Sequence, residues 1–307
     1  MNWKKYLSLI GIILFIYILI KIDIYQVVNE IKNADVSLII LSFFVVFVLL
    51  LLQTLKWFVI AIKQGIDLSF KDAFKINFIT NFYGFITPSR LGTVLRAEYL
   101  KKYTPNIGKG LCNFVLDKAL DLLSLVTLVI LFSFIFKNKF SFLPINLFIV
   151  IFIGLISLTF IFLNKERARI ILKVFYKKLI PNKLKEKTRI TFDSFYENMP
   201  KKRYFLFFFA LNIFTWVILY LVTYIIGVAL GIELSFIYYL AIFPISALIS
   251  MLPISINGIG TREVVLISLF SLFGVPAAKV FSMSLVSIVI SGVLPAVIGS
   301  FLTFKNE

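Results

Sequence analysis

Ile86-Thr87-Pro88-Ser89-Arg90-Leu91-Gly92-Thr93-Val94-Leu95-Arg96-Ala97-Glu98 interrupts one long apolar run of this chain. Leu252-Pro253-Ile254-Ser255-Ile256-Asn257-Gly258-Ile259-Gly260-Thr261-Arg262-Glu263 interrupts another. Both stretches put proline, glycine, arginine and glutamate between segments that belong in lipid. Helix breaks and charges survive at membrane depth only where protein or a water-filled cavity satisfies them. Two such breaks in corresponding halves of a chain point to a transporter-like site between inverted repeats.

The composition around them is that of a membrane protein. Of 307 residues 60% are hydrophobic, and the mean hydropathy of +0.99 lies far above the soluble range. A single cysteine, Cys112, leaves no intrachain disulfide, and the absence of histidine removes a histidine-based triad and argues against a transition-metal site. No cofactor is expected. The net charge of +17 is read as cytoplasmic Lys and Arg rather than as a nucleic-acid footprint.

A span needs about 20 apolar residues. Six segments are expected to cross fully: Tyr6–Ile20, Ser37–Ile62, Leu111–Phe136, Leu143–Leu163, Tyr204–Leu230 and Val280–Phe304. The first follows Lys4-Lys5 but lacks a small-residue cleavage site, so it reads as a retained anchor. Ala73–Thr87 and Phe236–Leu252 end at the broken motifs, and each is followed by a short second leg, Thr93–Tyr103 and Thr261–Phe273. Legs this short suit re-entrant hairpins. With the N-terminus inside, regions 1–5, 56–75, 90–110, 164–203 and 305–307 hold 25 basic residues, while outside regions hold five, Lys21, Lys32, Lys137, Lys139 and Lys279. That asymmetry places both termini in the cytoplasm of a cell-membrane protein and gives the two hairpins opposite entry sides.

The expected fold is therefore an all-α integral membrane protein, a single polytopic domain over 1–307. Its first half is 1–163 with a hairpin at 73–103, and its second half is 204–307 with a hairpin at 236–273. Between them, 164–203 is basic, and Ile170, Ile171, Val174, Phe175 and Leu179 fall at helical spacing among Lys173, Lys177 and Lys178. This reads as an amphipathic helix on the cytoplasmic membrane surface or a solvated connector.

The chemistry concentrates at the tips. Pro88 and Pro253 each remove a backbone donor and end the first leg. Gly92, Gly258 and Gly260 permit tight or left-handed backbone, and Thr93 and Thr261 are candidate N-caps for the returning legs. A helix starting there aims its N–H groups at the tip, which suits a headgroup phosphate. Arg96 and Arg262, with Arg90 nearby, add guanidinium groups able to grip phosphate. Each of the two later arginines has a second possible role, locking its hairpin by pairing with Glu98 or Glu263. A further cluster, Asp117-Lys118-Ala119-Leu120-Asp121, lies several residues inside a span. Asp117 and Asp121 share a helix face, and intramembrane carboxylates mark ion or proton paths, salt bridges or substrate contacts. Gln53, Asn77, Asn81, Asn212 and Thr215 are read as helix-contact polar groups, Trp57 and Trp216 as packing aromatics.

At these residues the chain resembles the flippase-like family that includes the transmembrane region of lysylphosphatidylglycerol synthases. The resemblance rests on Pro88 through Arg96, on Asp117-Lys118-Ala119-Leu120-Asp121 and on Leu252-Pro253 through Gly258-Ile259-Gly260-Thr261-Arg262-Glu263. Family members commonly carry glutamate-arginine where this chain has Asp117-Lys118. The resemblance implies a helical bundle with re-entrant hairpins that moves lipids between leaflets, and it supports Arg96, Asp117, Asp121, Gly258, Gly260, Arg262 and Glu263 as site residues. The soluble aminoacyl-transferring domain of the synthases is not expected here, so lysyl transfer is not carried over. Relatives joined to glycosyltransferases leave polyprenyl-phosphate-linked sugars open as cargo.

A translocator of anionic lipid is the leading expectation, with a lipid-modifying enzyme or glycosyltransferase as a partner. A headgroup transferase or hydrolase using Asp117 or Asp121 as base is the first alternative. A scaffold docking a partner enzyme through 164–203 is the second. No phosphate-binding G-x-x-x-x-G-K-[ST] motif occurs, so direct ATP drive is not expected.

Overall fold

The computed structural model describes residues 15–18, 20–22, 24–87, 90–104, 107–136, 145–179, 181, 185–197, 199–252, 255 and 257–304. Most of the expected first span lies outside these residues, as do Pro88 and Pro253. Every regular element among the described residues is helical: α1 (Ile24–Lys32), α2 (Val36–Lys63), α3 (Phe70–Phe85), α4 (Ile107–Ile135), α5 (Ile145–Phe162), α6 (Lys165–Leu179), α7 (Lys185–Tyr196), α8 (Phe205–Ala229), α9 (Phe236–Ser250), α10 (Thr261–Ser271), α11 (Ala277–Ile288) and α12 (Leu294–Phe304). Short 3₁₀ and α turns fill Leu91–Leu95, Arg96–Tyr99 and Leu100–Lys102 after the first break. A π turn, Val289–Val293, joins α11 to α12.

Four stretches are long and apolar enough to cross a membrane: Val36–Lys63, Ile107–Ile135, Lys202–Ala229 and Ala277–Phe304. They correspond to four of the six expected spans. A fifth falls on the shorter α5. Local signals set the boundaries. Asp35 caps α2 by accepting from the Ser37 and Leu38 N–H groups at 2.8 and 3.3 Å, and Gly65 at φ 69° follows its end. Ser69 caps α3 through the Asp72 N–H at 3.1 Å.

Helix α2 packs along α8, α3 along α12, and α4 sits centrally against α2, α5, α7, α8 and α9. Small residues allow the closest approaches. A Cβ on Gly299 of α12 would strike the Phe78 carbonyl of α3, so only glycine fits there. The apolar core gathers around α8, α9 and α10, where Tyr239, Phe243 and Phe270 pack ring on ring. That aromatic block holds the second break rigidly. The first break instead leans on α3 and α4, beside polar groups.

The 164–203 segment is folded against the bundle. Helix α7 packs across the start of α4, where Gly108 leaves room for Ser194 and the Thr191 backbone. Lys109 pairs with Glu197 at 3.2 Å, and Lys165 of α6 with Asp193 of α7 at 2.6 Å. Ile170 and Ile171 of α6 remain exposed. The Val174, Phe175, Lys177, Lys178 and Leu179 side chains lie outside what the structure describes.

Candidate functional site

A cavity of about 110 Å³ opens beside the first break. Its walls come from polar positions that helical periodicity gathers onto single faces. Helix α2 contributes Gln53, Lys56 and Trp57; α4 contributes Asp117, Lys118 and Asp121. Asn77, Thr80 and Asn81 of α3, Thr215 and Trp216 of α8, and Arg90, Thr93 and Arg96 of the break complete it, with Met251 at the entry to the second break.

Five of these side chains form a chain of alternating charge. Arg96 Nη2 contacts Asp117 Oδ2 at 2.7 Å, and Asp117 Oδ1 lies 3.0 Å from Lys56 Nζ. Lys56 also reaches Asp121 Oδ1 at 2.5 Å, and Lys118 Nζ lies 3.2 Å from Asp121 Oδ2. The Asn212 amide oxygen accepts from Lys56 at 3.2 Å. Lys56, Arg96, Asp117 and Asp121 are all buried, and buried charges persist only in such contact with opposite charge. The Arg96 guanidinium further stacks on Trp57, 4.9 Å from the ring centroid. Arg96 is thus held from two sides.

Arg90 and Lys118 are different. Arg90 adopts a left-handed backbone, φ 55°, which turns its side chain to the cavity wall. Its hydrogen-bond acceptor is the Asn81 amide oxygen, at 3.4 Å, and among the described residues no carboxylate pairs with it. The Lys118 side chain keeps 37% of its surface accessible. Of the five cavity-lining side-chain atoms buried without a hydrogen-bond partner in the protein, four are donors, Trp57 Nε1, Asn81 Nδ2, Arg96 Nε and Trp216 Nε1, and the fifth, Asp117 Oδ1, faces Lys56 at 3.0 Å. A buried polar atom without a partner is costly. Donors gathered in this way fit an acceptor-rich, anionic guest.

The second break is wired inwardly. Glu263 Oε2 accepts from the Gly260 N–H at 2.6 Å, and Glu263 Oε1 takes Arg262 Nε and Nη2 at 3.1 and 3.0 Å. Ser284 Oγ of α11 donates to Glu263 Oε1 at 2.6 Å and accepts from Arg262 Nη2 at 2.8 Å. Ser255 and Thr261 hydroxyls meet at 2.9 Å. The N-terminus of α10 is therefore capped by its own Glu263.

Several expectations change in detail. The N-cap positions are Arg90 and Gly260, not Thr93 and Thr261; both threonine hydroxyls donate back, to the Arg90 carbonyl at 2.8 Å and the Gly258 carbonyl at 3.1 Å. Glu98 pairs with Lys101 at 2.6 Å on the surface, so Arg96 pairs with Asp117 instead. Gly92 and Gly258 are not among the residues lining this cavity; they let the chain pass against Tyr83 and Ser250. Arg262, Gly260 and Thr261 also stay off the cavity wall, although Arg262 lies within electrostatic reach of Arg90.

By sequence Lys56 is counted in the inside region 56–75, although it also falls within the expected span Ser37–Ile62. It lies inside α2 and joins both aspartates. Removing it from the cytoplasmic tally leaves the charge asymmetry in place. The overlooked signal is the i, i+3, i+4 spacing of Gln53, Lys56 and Trp57 within a lipid-length helix. Asn81, Thr215 and both tryptophans were likewise read as packing groups, and all four wall the cavity.

A bundle with lipid-length helices and a charged, partly open cavity between them defines an all-helical integral membrane protein with a polar site. The chain belongs to the family described as the lysylphosphatidylglycerol synthase TM region, which matches residues 7–299. It is 26% identical to the UPF0104 membrane protein PH1989 of Pyrococcus horikoshii, over 99% of this chain and 98% of that protein. Identity to the UPF0104 membrane protein MJ1595 of Methanocaldococcus jannaschii is also 26%, over 98% and 95%. A UPF0104 membrane protein of Methanothermobacter thermautotrophicus is 21% identical over 88% of this chain and 85% of its own.

Proposed function

We propose that this protein is a lipid translocator that passes an anionic, phosphate-bearing headgroup between leaflets while the hydrocarbon chains stay in the bilayer. The observation that carries this reading is the cavity itself, where Arg90 and the partly exposed Lys118 side chain stand beside four hydrogen-bond donors that lack a partner in the protein. Arg90 and Lys118 meet the headgroup; Arg96, Lys56, Asp117 and Asp121 form the fixed frame behind them. The two breaks are re-entrant hairpins, 73–103 from the cytoplasm and 236–273 from outside, in an inverted repeat of 1–163 and 204–307. The termini and the basic 164–203 segment face the cytoplasm. The excess of Lys and Arg in those regions supports this orientation.

The transferase or hydrolase reading finds less support. Both oxygens of Asp117 and both of Asp121 are occupied by cations, so neither is poised as a free base. Liposome reconstitution with a fluorescent anionic phospholipid and an impermeant quencher tests the proposal. Wild-type protein should make inner-leaflet probe accessible, and the Arg90→Gln, Lys118→Gln variant should slow this at least tenfold. Headgroup conversion without leaflet movement would instead establish the enzyme reading.

A further inference from the structure

The charges around the cavity do not balance, and the imbalance has a definite size. Arg96, Asp117, Lys56, Asp121 and Lys118 alternate in sign through contacts of 2.5 to 3.2 Å. A chain that begins and ends on a cation keeps one positive charge over. Arg90, an exposed residue on the cavity wall whose hydrogen bond goes to the neutral Asn81 amide, adds a second. Arg262 adds nothing, since Glu263 neutralises it at 3.0 Å. Like charges gathered inside a membrane protein call for a counter-charge in the same space.

The unpartnered atoms specify which atoms carry that counter-charge. Of the five cavity-lining atoms buried without a hydrogen-bond partner, Asp117 Oδ1 already faces Lys56 at 3.0 Å, and the other four, Trp57 Nε1, Trp216 Nε1, Asn81 Nδ2 and Arg96 Nε, are donors; the indole N–H has no capacity to accept. They call for oxygen acceptors. A phosphodiester offers two free oxygens and one negative charge. A phosphate monoester offers three strong acceptors and, above its second pKa of about 6, close to two negative charges. The monoester matches both the surplus of charge and the set of donors, while the diester leaves one cation and some donors unanswered.

We infer that the cavity selects lipids ending in a phosphate monoester, a dianionic headgroup, over monoanionic phosphodiester lipids, with Arg90 and Lys118 as its two charge partners. The lipid part of this inference rests on the translocator reading above. It adds a criterion that excludes the bulk phosphodiester lipids of a bilayer. A site facing an abundance of singly charged headgroups gains its discrimination from the second charge, because a dianion attracts the two surplus cations about twice as strongly as a monoanion does.

The test is a titration of the purified full-length protein in neutral detergent at pH 8. The probes are decyl phosphate and decyl methyl phosphate, each below its micelle-forming concentration. They share one chain and differ by one charge and one acceptor oxygen. Decyl phosphate should bind at least tenfold more tightly to the wild-type protein. Arg90→Gln and Lys118→Gln should each reduce that preference, and together they should abolish it, whereas Arg90→Lys should retain it. Equal wild-type affinity for the two probes overturns the inference whatever the variants do. So does an undiminished preference in a folded R90Q/K118Q protein. Inorganic phosphate binding as tightly as decyl phosphate would assign the cavity to free phosphate and overturn the lipid part. The outcome separates cleanly from transport: a monoester preference without leaflet movement sinks the translocator reading alone, and phosphodiester transport without that preference sinks this inference alone.

Discussion

At the first break Arg96 reaches out of its own leg to Asp117 on α4, and through Lys56 the network extends to α2. At the second break Arg262 stays with Glu263, one residue away, and Glu263 returns its other oxygen to the Gly260 N–H. The ingredients match in kind and order, glycine, threonine, arginine and glutamate, but their spacing does not. Arg96 stands four residues after Gly92 with its glutamate two further on, whereas Arg262 and Glu263 stand two and three residues after Gly260. At the second break the glutamate falls at the third helical position, where a carboxylate caps the helix start, and α10 runs as regular helix for 11 residues. At the first break no carboxylate holds that position, and the return leg is a series of short turns with Arg90 left over. Register alone makes one break a closed structural corner and the other an open charged wall.

The largest expected effect lies in the shared frame. Lys56→Met leaves Asp117 and Asp121 buried with one cation fewer, and breaking a buried pair costs roughly 3–5 kcal/mol; a thermal melt in detergent should show the largest loss of any single variant here. Removing the cap and the partner of Arg262 by Glu263→Ala is expected to cost about 1–2 kcal/mol. The double variant sharpens the comparison. The two sites share no hydrogen-bond or ion-pair partner, so the losses should add within about 0.5 kcal/mol, and a coupling above ~1 kcal/mol would mean that the breaks form one network. Arg90→Gln should leave the melt within about 0.5 kcal/mol of wild type, since no ion pair is lost.

The smallest effect is expected in α7. Hydrogen bonding from Lys165, aided by the charges of Lys165, Arg169 and Arg189, holds the Asp193 carboxyl below its ordinary value. A depressed folded pKa gives stability that is present above the unfolded value of about 3.9 and lost as pH falls through the folded one. The protection of α7 amides, relative to the intrinsic exchange rate at each pH, should therefore be level from pH 5 to 8 and fall below pH 4. The Asp193→Asn variant should lack that acid step.

Much of this was legible in the sequence. Apolar length located α2, α4, α8 and the α11–α12 span, and the proline–glycine motifs located both breaks, because lipid leaves the backbone few alternatives. The internal wiring was less legible. Lys56 looked like the edge of a loop because charge normally ends a span, and its two aspartates lie over 60 residues away in sequence. Glu98 looked like a partner for Arg96 because it is close in the chain, yet the turns at Arg96–Tyr99 send it to Lys101 at the surface. Pairings that cross between helices depend on packing, and no local pattern encodes them.

One measurement bears most directly on the division between an open first break and a closed second one. In a single liposome assay of anionic-lipid movement, R90Q/K118Q is compared with R262Q/E263Q at temperatures below both melting transitions. The account expects at least a tenfold loss of rate in the first variant and a rate within about threefold of wild type in the second, a gap of roughly 0.7 kcal/mol or more between them. Equal losses in both, or a loss confined to R262Q/E263Q, would contradict it.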